Sequence, residues 1–386
     1  MKRRNFLLTG GLVTAAAPAM AATMHPFPAK EQALENEYES VNFIRDGLDL
    51  STGEYADLLS RIASSEHLEP DIYSRGGVVE ELEKRMAGIL GKESAIFMPT
   101  GTLANHLAIR KLAGVKQRVI VQAESHIYRD SGDCTSTLSG LNLIPLGQEQ
   151  VDFSLGQVKE VIRRTGEGRV DTGVGVISIE SPVRRKHNRM FDFGQMQKIS
   201  EYARENKIKM HLDGARLFNA CVHSNKAPSD FAQLFDTVYV SLYKNFNAAS
   251  GAILAGTNAF TKDLYHHRRM FGGGMPQVWP FAAVALHYLD GFLNNYRKSL
   301  VYADQFFEQI TKNEKVEIRK LSNGTNVVEL ILKDHSPGQL QKSLALHHIP
   351  FPDGDEKTGK VFIKINPSIL RRSPEELSEL FSSLSL

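Results

Sequence analysis

The run His211–Lys244, HLDGARLFNACVHSNKAPSDFAQLFDTVYVSLYK, decides the fold. A short apolar stretch over residues 208–212 ends in Asp213-Gly214-Ala215-Arg216, and a second, strand-like one over 237–242 ends in Lys244. Each reads as a buried strand delivering a charged residue at its C-terminal end, with a helix-length connection between the two. In open parallel α/β sheets, ligands bind at that end of the strands. One strand thus offers a carboxylate and the next an amine.

That pair suits pyridoxal phosphate (PLP). A lysine amine, desolvated and flanked by other cations, forms a Schiff base with an aldehyde, and an aspartate facing a pyridine nitrogen keeps it protonated, so that the ring draws electrons. The plainer alternatives are a helix N-cap for Asp213 and a solvated loop position for Lys244.

Upstream, Ala95-Ile96-Phe97-Met98 reads as a buried strand turning through Pro99-Thr100-Gly101-Thr102-Leu103-Ala104-Asn105 into a helix. A glycine between threonines at a helix start offers free N–H groups, hydroxyls and the positive end of a dipole, a cradle suited to a phosphate monoester. Thr-Gly-Thr also caps ordinary helices. After a strand over 118–122 come Glu124-Ser125-His126, where the imidazole is placed to stack on a flat ring or to move a proton, or else to serve as a polar rim residue. Further strands are read at 141–146 and 173–179, the second followed by Glu180-Ser181-Pro182 and the basic loop Val183-Arg184-Arg185-Lys186-His187-Asn188-Arg189. Helices are expected at 32–39, 55–64, 78–90, 155–164, 193–206 and 260–270. Gly91 closes the third of these as a C-cap residue does, and the glycine run 272–274 follows the last.

Downstream, one long helical pattern over 279–312 leads to a smaller alternation: strands at 316–321 and 326–332, a helix at 337–347, a strand at 361–365 and a helix at 374–383. The 386 residues are 42% hydrophobic and 23% charged, ordinary for a globular protein, and the net charge of +2 provides no field for nucleic acid or anionic lipid. The two cysteines, Cys134 and Cys221, form neither a disulfide framework nor a metal-ligand cluster. No metal is expected.

The N-terminus, MKRRNFLL followed by an Ala/Gly-rich stretch and Ala19-Met20-Ala21, reads as a removable twin-arginine leader over residues 1–22. Its apolar part is too short for a stable membrane anchor. The expected location is therefore periplasmic or exported, and cytoplasmic if the leader does not function. A Sec-type leader and a disordered leader are the alternatives.

In order along the chain, Glu81-Leu82-Glu83, Gly91-Lys92-Glu93, Pro99 to Asn105, Ser125-His126-Ile127, His211 to Ala220, Ser241-Leu242-Tyr243-Lys244 and Gly272-Gly273-Gly274-Met275 resemble the threonine aldolase and β-eliminating lyase family of fold-type I PLP enzymes. The resemblance spans about residues 40 to 370. It implies an aspartate-aminotransferase-like α/β fold: a large domain over 73–278 with a mostly parallel sheet, a linking helix over 279–313 and a small C-terminal α+β domain over 314–386, preceded by a segment over 23–72. It also implies a homodimer or homotetramer. By position, Lys244 becomes the Schiff-base lysine, Asp213 the pyridinium partner, His126 the stacking group, Gly101 and Thr102 the phosphate holders, and Arg216 the ligand of a substrate carboxylate.

The sequence departs from the aldolase pattern in several places. Arg45-Asp46-Gly47-Leu48 lacks the Ser-Asp-Thr run that helps hold the carboxylate in many aldolases, and Ser181-Pro182-Val183 lacks a histidine that contacts the substrate hydroxyl. Val361-Phe362-Ile363-Lys364 stands where a second arginine is usual, and Pro276 stands where arginine is frequent. The expected activity is a PLP-dependent lyase acting on an amino acid, foremost aldol cleavage of a β-hydroxy-α-amino acid to glycine and an aldehyde. Alternatives are β-elimination or transamination, and a non-catalytic binding protein. The loop 184–189 is read either as meeting an acidic or larger substrate side chain or as a solvated or oligomer-contact face.

Overall fold

The computed structural model describes residues 40–65, 68–170 and 172–383. The chain divides into two units, residues 1–31 and 32–386, and every described residue belongs to the second. The leader read over 1–22 and the helix read at 32–39 lie outside the described residues.

Seven strands form the first sheet: β1 (Ser94–Met98), β2 (Arg118–Gln122), β3 (Asn142–Leu146), β4 (Val174–Glu180), β5 (Lys209–Asp213), β6 (Thr237–Ser241) and β7 (Ala252–Gly256). Their order is β1-β7-β6-β5-β4-β2-β3, parallel from β6 through β3, with β7 antiparallel to both its neighbours. Strands β4, β6 and β7 are buried at every position. Such continuous apolar runs are what a sheet covered on both faces requires. The helix Gly77–Leu90 lays Val78, Val79, Leu82, Met86 and Leu90 into the main core, and Gly91 ends it in the left-handed conformation with φ 62°.

Four antiparallel strands form the second sheet, in the order β10 (Gly354–Asp355), β11 (Lys360–Lys364), β9 (Val327–Leu332), β8 (Val316–Lys320). Its own core gathers Phe306, Phe351 and Phe381 around Phe43. Phe43 belongs to an irregular strap over residues 40–50. Its N–H donates to Pro350 O (3.0 Å), and its carbonyl accepts from Lys364 N (2.8 Å). Farther on, Leu48 N–H donates to Asn247 Oδ1 (2.8 Å) near the edge of the first sheet. Gly47 is required there, because a Cβ would stand 2.5 Å from Lys244 O.

Two helical readings are corrected. The pattern over 279–312 is two helices, Trp279–Leu289 and Phe292–Ile310, parted at Asp290-Gly291. Glycine is a weak helix former, and Asp290 beside it pairs with Arg85. The pattern over 260–270 likewise splits into Asn258–Thr261 and Leu264–Met270, the first started by Thr257, whose side chain accepts from Phe260 N.

Candidate active site

The strand register assembles the site. Glu180 of β4 pairs with Asp213 of β5, and Asp213 pairs with Tyr239 of β6, so three side chains form one row at the C-terminal edge of the sheet. That row lines a cavity of about 200 Å³, whose wall also includes Gly101, Thr102, His126, Arg216 and Lys244. All six residues singled out from the sequence therefore meet at one place.

Asp213 is not a helix cap. Its Oδ1 accepts from Ala215 N (3.1 Å), and its Oδ2 accepts from Asn105 Nδ2 (2.6 Å). The other end of that amide, Asn105 Oδ1, lies 2.8 Å from His211 Nε2, and His211 Nδ1 lies 2.9 Å from Thr237 Oγ1. Because Asn105 must give its NH₂ to the carboxylate, its oxygen faces His211, so His211 donates from Nε2 and accepts from the Thr237 hydroxyl. Burial pushes the His211 pKa down to about 4, which keeps the ring neutral and the chain polarised in one direction. Residues 105, 211 and 237 were not marked as functional in the sequence; only the structure joins them to Asp213.

Lys244 lies in the helical turn Leu242–Asn245 directly after β6. Burial, then the nearby charge of Arg216, pushes its pKa down to about 8, against the opposing pull of Asp213, Asp46 and Glu180. A substantial share of the amine is then neutral near physiological pH.

Thr100 caps the helix Gly101–Ala113, its side chain accepting from Leu103 N (3.2 Å). The N–H groups of Gly101 and Thr102 therefore belong to the first turn, where no carbonyl of the helix reaches them. Only glycine fits at 101: a Cβ there would stand 2.0 Å from the buried Tyr239 hydroxyl. The cradle is open and anion-seeking, so it fits a phosphate.

His126 begins the short turn His126–Arg129. Its N–H donates to Glu180 Oε2 (2.6 Å), while Arg184 N–H donates to Glu180 Oε1 (2.9 Å). Burial foremost, then the Asp213 charge, pushes the Glu180 carboxyl up to about 7. The ring Nδ1 of His126 lies 3.1 Å from Ser131 Oγ, whose hydroxyl donates to His126 O (3.0 Å). Ser131 therefore accepts from Nδ1–H, and Nε2 carries the lone pair. Burial lowers the His126 pKa, which keeps that lone pair available.

Arg216 is 3% exposed, and its Nη2 pairs with Asp46 Oδ2 at 2.8 Å. Lys364 Nζ reaches Asp46 Oδ1 at 3.3 Å. The strap read as lacking a Ser-Asp-Thr run thus supplies a carboxylate to Arg216. Val183 is fully buried and absent from the cavity wall. Phe362 stacks on His187, with ring centroids 3.7 Å apart at 14°. Within the basic loop, Arg184 and Arg185 pair with Asp130 (2.8 and 3.1 Å), and Arg189 donates to Ser322 O (2.8 Å); only Arg184 also lines the cavity.

Comparison with known proteins agrees with this site. The sequence matches the beta-eliminating lyase family over residues 57–334. It is 29% identical to a low-specificity L-threonine aldolase of Candida albicans over 237 residues, 61% of this chain and 63% of that protein, just under two thirds of its length. It is 24% identical to low-specificity L-threonine aldolase 1 of Arabidopsis thaliana over 82% of this chain and 86% of that one. Among solved structures, a candidate L-allo-threonine aldolase of Listeria monocytogenes superposes with a TM-score of 0.72 at 26% identity, covering 85% of this chain and 92% of the other. An SPT structure holding PLP shares the fold alone, at TM-score 0.63 and 12% identity over 89% of this chain and 88% of its own. With the match running through every strand of the first sheet and the helix that carries the phosphate cradle, the chain belongs to the beta-eliminating lyase family, whose cofactor is pyridoxal phosphate.

Proposed function

We propose that the cavity holds PLP and a β-hydroxy-α-amino acid, and that the chain cleaves the Cα–Cβ bond of that substrate to release glycine and an aldehyde. The observation that carries this reading is the convergence of Lys244, Asp213 and Arg216 on one small cavity at the edge of neighbouring parallel strands. When bound, PLP supplies an aldehyde that accepts amines and a ring that takes up the electron pair left at Cα.

The protein's own groups divide the remaining work. Gly101 and Thr102 would hold the phosphate on their N–H groups, Asp213 would hold a proton on the pyridine nitrogen, and His126 would lie against the ring. Arg216 would grip the α-carboxylate and so orient the substrate at Cα. His126 Nε2, free of the Ser131 contact, takes the β-hydroxyl proton. Low-specificity threonine aldolases among the relatives favour the same reaction.

The product panel tests this directly. Holoenzyme is incubated with β-hydroxy amino acids of varied side chain, with β-substituted alanines, and with amino acid and keto acid pairs. Glycine with an aldehyde is expected. Ammonia with pyruvate would instead indicate elimination, a new amino acid would indicate transamination, and either result without glycine overturns the proposal.

Lys244 also sets a pH dependence. Its neutral amine is the nucleophile, and its depressed pKa of about 8 places the neutral form two to three units of pH below where a solvated lysine would gain it. The rate at which apoenzyme takes up PLP should rise with pH and level off above about 8. A rate still climbing between pH 9 and pH 11 would assign Lys244 an ordinary amine.

A further inference from the structure

Asp46 stands where four parts of the chain meet. It is buried, and it receives Arg216 Nη2 from the segment after β5 (2.8 Å), Lys364 Nζ from the end of β11 (3.3 Å) and Asn188 Nδ2 from the basic loop (3.4 Å). Asp46 itself rides on the strap, which is pinned on one side by Asn42, whose backbone N–H donates to Ser368 Oγ (3.0 Å), and on the other by Leu48 at Asn247. Burial alone would raise the Asp46 carboxyl, yet Arg216 and Lys364 outweigh it and hold the group far below the usual carboxylate range. It is therefore a permanent anion.

Its effect on Arg216 follows from the contacts. Among the described residues the guanidinium makes one hydrogen-bonded ion pair, through Nη2 to Asp46, while its Nε is buried without a partner. A planar fork held at one nitrogen by a fixed carboxylate keeps a defined plane, and a defined plane is what two-bond recognition of a second carboxylate needs. Without Asp46, Arg216 and Lys364 would lose the carboxylate that both contact, and the attraction of Glu180 would remain to draw the guanidinium out of that plane. An opposite role is also physically available: Asp46 sits where a ligand carboxylate would compete for the same two cations. The two roles differ in the sign of their effect. The pinning of the strap on both sides of Asp46 favours the first, because a displaceable occupant needs a segment free to leave.

We propose that Asp46 is a positioning residue that fixes the plane of Arg216, and so makes the site select amino acids over the corresponding amines lacking the carboxylate. This rests on the assignment of Arg216 as the carboxylate ligand under Proposed function.

Glycine and methylamine differ by that carboxylate alone, so the test titrates holoenzyme with each and follows the visible absorbance of the bound cofactor. The wild type should bind glycine much more tightly than methylamine. Asp46→Asn should weaken glycine by about tenfold or more, the loss expected for one misaligned charge-assisted contact, and leave methylamine within about twofold. Asp46→Glu keeps the charge that the buried cations need for folding, and should show a smaller loss on glycine alone; it carries the test if the asparagine variant does not fold. Tighter glycine binding by either variant would make Asp46 a competitor and overturn the proposal. Equal weakening of both ligands, or no change, overturns it as well. A wild type that does not discriminate between the two ligands overturns it at its root, and in that case alone the assignment of Arg216 falls too.

Discussion

Lys244→Ala is expected to lower kcat/KM for the glycine-forming reaction by about three orders of magnitude or more, the scale on which enzymes lose activity when a covalent nucleophile is removed. Among the described residues no other lysine lines the cavity. Lys364, outside the cavity wall, holds its Nζ 3.3 Å from Asp46 Oδ1, and its charge is needed there. The variant should also release PLP on dialysis, whereas the wild type retains it. The phosphate cradle and Asp213 persist in the variant, so added PLP should still bind reversibly. Turnover within about tenfold of wild type would remove Lys244 from the chemistry.

Asp213→Asn should retain PLP and lose about 10²–10³ in kcat, the range seen when one preorganised electrostatic partner is withdrawn. Two effects act together. A neutral amide does not hold a proton on the pyridine nitrogen, and the amide also conflicts with its own surroundings. Both Asp213 oxygens accept from donors, Ala215 N–H and Asn105 NH₂. An asparagine must turn its NH₂ toward one of them. Toward Asn105, the clash is relieved only if that amide flips, which reverses the chain through His211 to Thr237. Measured kcat with the cofactor content held equal is the relevant comparison. A kcat within about twofold of wild type would show that the carboxylate charge is not used.

Much of this architecture was legible in the sequence because it depends on local patterns. Buried parallel strands are continuous apolar runs, and the charged residues that follow them fall at one edge of the sheet by topology alone. That is why Asp213, Lys244, Gly101 and His126 were found. What was hidden depends on contacts between distant segments. Asp46 reaches Arg216 across 170 positions, and Asn105 reaches His211 across 106. No spacing rule connects such residues. Glu180 was visible as the end of a strand, but its value lies in the register that sets it beside Asp213, and register emerges only with the assembled sheet. Val183 and Phe362 were read as departures from the aldolase pattern. The structure adds what those positions do instead: one is core, the other packs on the basic loop.

The strap carries a consequence for the order in which the pocket comes into being. Every wall residue of the cavity lies between Pro99 and Ser250, whereas the strap that carries Asp46 depends on partners at Pro350, Lys364 and Ser368. A chain emerging from the ribosome can therefore assemble the PLP side of the site some hundred residues before the carboxylate side has its supports. Asp46 waits for partners made some 300 positions after it. A nascent or C-terminally shortened chain would hold the coenzyme without a firm grip on an amino acid, so the reactive ring is loaded before the selectivity that governs it is in place.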